Sequence, residues 1–270
     1  MRLELVMADP AGNRTALVLT PVPRAEYAPL AGRIMAVRAL GAEQVGYCLP
    51  PTPGAGSAGR LEMMGGEFCG NAARSFGLLL ARGMGPGRRR VPVEVSGCPR
   101  LLEAEADPET GWAASPMPLP LAVQELEVPG LGRFPAVLLE GITHVIAQGV
   151  APSEEAFRRI RRAAGLRWDW EALGAMFLGE GDFLTPAVAV RATGSVVFES
   201  SCASGSTAAA VWRCRELGDG VRQFRFSQPG GVIAGEVEKR DGRTVRVTIG
   251  GPVALEAPRW VELADATGLD

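Results

Sequence analysis

The sequence predicts an α/β (α+β) protein made of two similar units, and three observations carry that prediction. The 270 residues, 47% of them hydrophobic, suffice for two domains that each bury a core. The order of elements repeats, because each half reads as strands, a helix, a strand, a cysteine at the start of a second helix, and further strands. The cysteine segments themselves form a pair, GGEFCGNAARSFGLLLARG from Gly65 and ESSCASGSTAAAVWRC from Glu199, about half the chain apart.

In the first half, RLELVMA and RTALVLTPV read as two strands around the turn DPAGN. In AEYAPLAGRIMAVRALG, residues Leu30, Ile34, Val37 and Leu40 fall on one helical face. RLEMM leads into the first cysteine helix, and RVPVEVSG and RLLEAEAD follow as another strand pair. The proline-rich SPMPLPLA marks the boundary between domains. We therefore expect an N-terminal domain over 1–117, with the tail 256–270 packing on it, and a C-terminal domain over 118–255. In the second half RFPAVLLEG and THVIAQG read as strands. SEEAFRRIRRAAG opens on a capping-box pattern at Ser153 and reads as a helix. PAVAVRATGSVVFES is strand-like and precedes the second cysteine. The chain closes in strands, with Asp241-Gly242 as a hairpin turn that leaves Lys239 exposed.

Composition excludes several classes of function. The formal net charge is -2, and the one basic run, GRRRV, has no aromatic residues interleaved, so it reads as a solvated loop; no nucleic-acid partner is expected. No apolar stretch approaches the roughly 20 residues that span a bilayer, and no membrane partner is expected. The start lacks the core of a signal peptide. Five cysteines without CxxC spacing suit free thiols in a reducing cytoplasm. His144 is the only histidine and Lys239 the only lysine. A Ser-His-Asp triad, a multi-histidine metal site and a pyridoxal phosphate Schiff base are all disfavoured, so neither a metal nor another cofactor is expected. His144, alone in an apolar strand, reads as a structural residue. Cys48, Cys98 and Cys214 read as core or bystander thiols, and the tryptophans of RWDW as packing or dimer-contact residues.

The paired cysteines suggest a chemistry that needs none of these groups. A thiol in the first turn of a helix sits beside unpaired backbone N–H groups and the positive end of the helix dipole, which favour thiolate. The same N–H groups can hold a carboxylate. Two such thiols facing each other across a cleft would flank an α-carbon. One thiolate would remove the α-proton, and the opposite thiol would return a proton to the other face.

EFCGNAARSF and SCASGSTAA resemble the two cysteine signatures of the diaminopimelate epimerase family. AGNRTALV, LGAEQVG and GITHVIAQG match further segments of it, so the resemblance runs from about Gly12 to Thr207. It implies two pseudo-symmetric domains, each a curled mixed sheet around a central helix, with the site between them, and a homodimer. It implies Cys69 and Cys202 as the acid–base pair, and the backbone at Gly70, Asn71, Ala203 and Ser204 as the cradle of the substrate carboxylate. Asn13 and Gln44 match positions lining the substrate pocket.

The departures concern the substrate's distal end. Ile142 stands in place of the family's asparagine, and Thr193 and Gly194 lie near the places of its Glu-Arg pair. A pocket without that arginine pairs poorly with a second carboxylate. These replacements are similar to those of the cofactor-independent racemases that make D-histidine for opine-type metallophores, which implies histidine as the small-molecule substrate. Glu199 or Glu62 would then face an imidazole or amine, unless each is a solvated strand-end glutamate. A diaminopimelate epimerase with an unusual distal pocket, an isomerase of the phenazine-biosynthesis type and a two-domain amino acid-binding protein are the alternatives.

Overall fold

The computed structural model describes residues 1–191 and 194–263, and statements of absence below refer to these. Thr193 and the end of the tail, 264–270, lie outside the described residues. The chain divides into two compact units. One is Met1–Ser115 together with the chain from Pro252 onward, and the other is Pro116–Gly251. Each is a mixed α+β assembly rich in sheet.

The first unit runs β1 (Arg2–Asp9), β2 (Thr15–Val18), α1 (Tyr27–Ala36), β3 (Gln44–Leu49), β4 (Gly59–Met63), α2 (Gly70–Arg82), β5 (Arg89–Val95), β6 (Cys98–Asp107) and β7 (Trp112–Pro116). Its strands lie in the order β7-β6-β5-β4-β3-β2-β1. The β2/β3 and β4/β5 pairs are parallel and the rest antiparallel. The parallel pairs are those whose connections carry α1 and α2, as crossover geometry requires. One core forms around α2, where Phe76, Leu78 and Ala81 meet Val6, Leu61, Val93 and Ala104. A second forms under α1, where Leu30 and Ile34 meet Leu5, Val18 and Tyr47. The helical spacing expected through Leu40 stops earlier: Val37 is already extended at φ -75°, ψ 92°, and α1 ends there.

Helix α2 is buried from Gly70 to Leu78 without a break. A helix enclosed on all sides needs small residues where strands approach. At Gly77 a Cβ would come within 2.5 Å of the Ala104 methyl.

The second unit runs β8 (Ala122–Val128), β9 (Gly132–Leu139), β10 (Ile142–Gln148), α3 (Glu154–Arg167), β11 (Ala172–Leu178), β12 (Leu184–Val190), β13 (Ser195–Phe198), α4 (Ala203–Cys214), β14 (Gly220–Gln228), β15 (Gly231–Arg240) and β16 (Arg243–Pro252). Strands β13-β12-β11-β10-β9-β8 form one array, parallel only at β10/β11, where α3 makes the crossover. Strands β14, β15 and β16 form an antiparallel meander. Helix α4 packs against both sets and is buried over most of its length. A Cβ on its Gly205 would fall 2.0 Å from the Met176 sulfur, so any side chain there would have to displace Met176. The chain then returns to the first unit through β17 (Ala254–Leu255) and β18 (Arg259–Glu262), which both pair with β1.

Helix α3 starts as Ser153 predicts, with its Oγ accepting from Ala156 N at 3.1 Å. The reciprocal half of a capping box is missing because the third helical residue is alanine. Glu154 and Glu155 instead place negative charge in the first turn, where the helix dipole favours it.

Lys239 departs from the sequence expectation of exposure. It is 5% exposed. Its ammonium donates to the carbonyls of Cys214 at 3.1 Å, Arg215 at 2.8 Å and Leu217 at 2.5 Å. The strand register turns this residue inward against the C-terminal end of α4, where orphan carbonyls and the negative end of the helix dipole hold a cation. Cys214 is the last residue of α4, at this same end.

Candidate active site

Cys69 is the residue that immediately precedes α2. It is extended, at φ -129°, ψ 112°, while its carbonyl already accepts from Ala73 N at 2.9 Å. Its sulfur accepts from Ala72 N at 3.4 Å, so the thiol caps the helix. A second donor reaches the sulfur from β3, where Gln44 Nε2 stands 3.3 Å away. That nitrogen also lies 2.8 Å from Asn13 Oδ1 and 2.8 Å from Thr15 Oγ1. Its two hydrogens are thus shared among three acceptors. Asn13 is held in turn, taking Asn71 Nδ2 at 3.2 Å and donating to Glu43 Oε2 at 3.0 Å. Asn71 Oδ1 accepts from Arg74 Nε at 3.3 Å.

The structure therefore links Cys69, Asn71, Asn13 and Gln44 in one partly buried polar network, and Gly70 follows Cys69 as the first residue of α2. Such a network fixes each member's orientation because unsatisfied polar groups there are costly. Arg74 completes it and was not singled out from sequence. It is 0% exposed, a charged residue four positions ahead of the apolar run Leu78–Ala81 of the same helix, which is the signal that could have found it. Burial pushes its guanidinium down to about 10, partly opposed by Cys69 and Asp9. Glu62, on β4, does not join the network in any described contact. It lies 3.8 Å from Arg60 and 3.9 Å from Arg24.

Cys202 precedes α4 with the same backbone shape, φ -127°, ψ 114°, and its carbonyl accepts from Ser206 N at 3.0 Å. Its sulfur makes no capping hydrogen bond of the kind Cys69 makes, although the Gly205 N–H is near enough to favour its thiolate. The Ser204 hydroxyl lies 3.5 Å from the sulfur. Burial pushes this thiol well up, and the Glu199 charge adds to the rise; Ser204 and the Gly205 N–H oppose it weakly. Of the residues expected here, Ser204 and Glu199 thus meet Cys202, and Ala203 follows it as the first residue of α4.

Two partners of this second site, Gln228 and His144, carry no local sequence signal. Gln228, from β14, accepts from Cys202 N at 2.8 Å and donates to Ser206 Oγ at 2.8 Å, locking the start of α4. Ser206 Oγ donates in turn to Cys202 O at 2.7 Å. His144 Nε2 stands 2.9 Å from Ser204 Oγ, so the histidine expected to be purely structural is one residue removed from the thiol. Burial pushes His144 down to about 3, and it is neutral at ordinary pH. Among the described residues no group of three or more His, Cys, Asp or Glu is arranged to hold a metal ion.

Comparison with known proteins gives this geometry a family. The profile of the "Histidine racemase CntK N-terminal domain" family matches residues 2–260. The chain is 30% identical to the histidine racemase of Fusobacterium nucleatum subsp. nucleatum (strain ATCC 25586), with 94% of each chain covered. It is 28% identical to that of Staphylococcus aureus (strain Mu50), covering 86% of this chain and 87% of the relative. Among solved structures, a hydroxyproline epimerase from Agrobacterium vitis superposes with a TM-score of 0.68 at 14% identity, covering 99% of this chain and 94% of that one. A probable proline racemase from Agrobacterium radiobacter K84 gives 0.67 at 13% identity, covering 98% and 94%. At that identity these two structures speak for the fold alone.

Proposed function

The chain belongs to the histidine racemase family and is an amino acid racemase; from that premise we propose that it inverts the α-carbon of histidine with Cys69 and Cys202 as paired base and acid. The observation that carries this reading is the matched placement of two thiols, neither in a disulfide, each immediately before a buried helix.

The Cys69 sulfur faces two N–H donors, which stabilise negative charge on it. Cys202 is held as a thiol by burial and by Glu199. The resting enzyme then carries thiolate at Cys69 and thiol at Cys202. Histidine binds with its carboxylate against the backbone at Gly70, Asn71, Ala203 and Ser204, at the positive ends of the two helices. Cys69 takes the α-proton, and the electron pair left on carbon delocalises into the carboxylate, whose growing charge those N–H groups offset. Cys202 gives its proton to the opposite face. The product is the other enantiomer, and the enzyme is left as Cys69 thiol and Cys202 thiolate, ready for the reverse reaction. The mechanism requires one sulfur on each face of the α-carbon. It needs no cofactor, because the acid and base are both side chains of the chain itself.

Asn13 and Gln44 border this pocket in the proposal, and Glu199 or Glu62 faces the substrate's nitrogen groups. The resemblance further suggests a cytoplasmic homodimer that supplies D-histidine to an opine-type metallophore. No helix among the described residues is long and apolar enough to cross a membrane.

The test is incubation of L-histidine, D-histidine and diaminopimelate with the enzyme in D2O, followed by NMR. We expect loss of the α-proton signal from both histidine enantiomers, with racemisation, and none from diaminopimelate. Exchange only in diaminopimelate would move the enzyme to epimerase chemistry. No exchange in any amino acid would leave a binding protein.

A further inference from the structure

We propose that His144 is a positioning residue of the reaction, which turns the Ser204 hydroxyl so that its hydrogen points at the Cys202 sulfur. The inference rests on the reading of Cys202 as one of the two acid–base groups. It begins from an atom with no partner: His144 is 0% exposed, its Nε2 meets Ser204 Oγ at 2.9 Å, and its Nδ1 has no hydrogen-bond partner among the described residues.

The surroundings of Nδ1 explain this. His144 on β10 lies in register with Gly174 on β11. A Cβ at position 174 would come within 2.1 Å of Nδ1, and Met176 packs on the same side of Gly174. The imidazole therefore fills the space a side chain at 174 would take, and its Nδ1 edge faces Gly174 beside the Met176 methyl.

That placement selects the tautomer. Burial keeps the ring neutral, so one nitrogen carries the proton. A proton on Nδ1 would be a buried N–H aimed at glycine with nothing to accept it, and it would need more room than a lone pair. Orphaned buried N–H groups are rarer than under-used acceptors. The proton accordingly resides on Nε2 and is donated to Ser204 Oγ. With its oxygen occupied as an acceptor, Ser204 turns its own hydrogen to the remaining acceptor within reach, the Cys202 sulfur at 3.5 Å. The charged and titratable groups facing Cys202 are then Glu199, which disfavours thiolate, and the Ser204 hydroxyl and Gly205 N–H, which favour it.

The arrangement matters once Cys202 has given up its proton. A buried thiolate beside a carboxylate is strongly disfavoured, and a hydroxyl pre-aimed at the sulfur lowers that cost. His144 itself transfers no proton. It removes the other orientations of the Ser204 hydroxyl.

The experiment compares Ser204→Ala, His144→Leu, the double variant and His144→Gln, whose carboxamide offers an N–H in place of Nε2–H. Two quantities are read: the racemisation rate, and the rate at which iodoacetamide alkylates each cysteine at one fixed pH, located by mass spectrometry. Ser204→Ala and His144→Leu should each slow racemisation and Cys202 alkylation about ten- to a hundredfold, as loss of a hydrogen bond to a charged group implies. Cys69 alkylation should be unchanged. The double variant should be no slower than Ser204→Ala alone, because the two act in series, and His144→Gln should recover most of the rate.

Cys202 alkylation and racemisation within twofold of wild type in Ser204→Ala would overturn the proposal, as would additive losses in the double variant. Should His144→Leu fail to fold by circular dichroism, the small change Ser204→Ala decides the matter. Cys202→Ser separates this inference from the one beneath it. Full activity there removes the two-thiol mechanism itself, whereas loss there with an unaffected Ser204→Ala removes only the role of His144.

Discussion

At Cys69 the backbone lies at φ -129°, ψ 112°, and at Cys202 at φ -127°, ψ 114°, yet the two sulfurs meet different chemistry. Cys69 Sγ accepts from the Ala72 amide and from Gln44, and a buried arginine, Arg74, lies one hydrogen bond beyond Asn71. Cys202 Sγ faces a hydroxyl and the Glu199 carboxylate, and its glutamine, Gln228, grips the backbone N–H instead of the sulfur. The same local shape has thus been used twice with different partners at the sulfur. In the proposed stereoinversion each thiol is the base for one enantiomer and the acid for the other, and the asymmetry would set which of the two forms rests between turnovers.

The comparison can be broken most directly at the sulfurs. Cys69→Ser and Cys202→Ser should each lower racemisation of histidine by at least about a thousandfold, the scale of lost acid–base catalysis. Each should still eliminate halide from a β-halo histidine analogue of one hand, and the two hands should be opposite. A shared hand, or substantial activity in either variant, would show that the thiols do not divide the work.

Next in size is the acid sensitivity of the second site. His144 is pushed down to about 3 from an ordinary 6.5. Between those values the unfolded chain binds the proton and the folded one does not, so stability is full above about pH 6.5 and falls as the pH drops toward 3. At pH 4.5 the loss should be about 2–3 kcal/mol from this residue. Urea unfolding of wild type and His144→Gln at pH 7.5 and 4.5 checks it. An equal acid-induced loss in both would remove His144 as its source.

The two glutamines should then separate function from stability. Gln44→Leu takes a donor from the Cys69 sulfur and should slow racemisation about tenfold or more. Gln228→Leu leaves the buried Cys202 N–H unpaired and should cost about 1–3 kcal/mol of stability. Steady-state rates and denaturant titrations of both variants test the division, and an unchanged rate in Gln44→Leu would refute it. The smallest effect is expected at Glu199→Gln. Removing that charge should speed alkylation of Cys202 several-fold at fixed pH while leaving Cys69 as it was. An unaltered Cys202 rate would show that burial alone keeps it a thiol.

The amino-acid sequence alone determined where the two cysteines sit, because the start of a helix is a local event. Small residues follow each cysteine, with hydroxyls among them after Cys202, and an unbroken helical run follows those. Most strands and the Ser153 helix start were legible for the same reason. The Asn13–Gln44–Asn71 grouping was reached through a resemblance and not through spacing, and the contact among these residues depends on β3 lying beside β2. Only the tertiary structure decided what surrounds each sulfur. Gln228 reaches Cys202 from a strand formed later in the chain, His144 reaches Ser204 from β10, and Lys239 turns inward to the end of α4 against the exposure its hairpin suggests. Local propensity governs backbone shape over a few residues. The charge state of a thiol is governed by donors, carboxylates and burial, which residues distant in sequence supply only after the sheets have assembled.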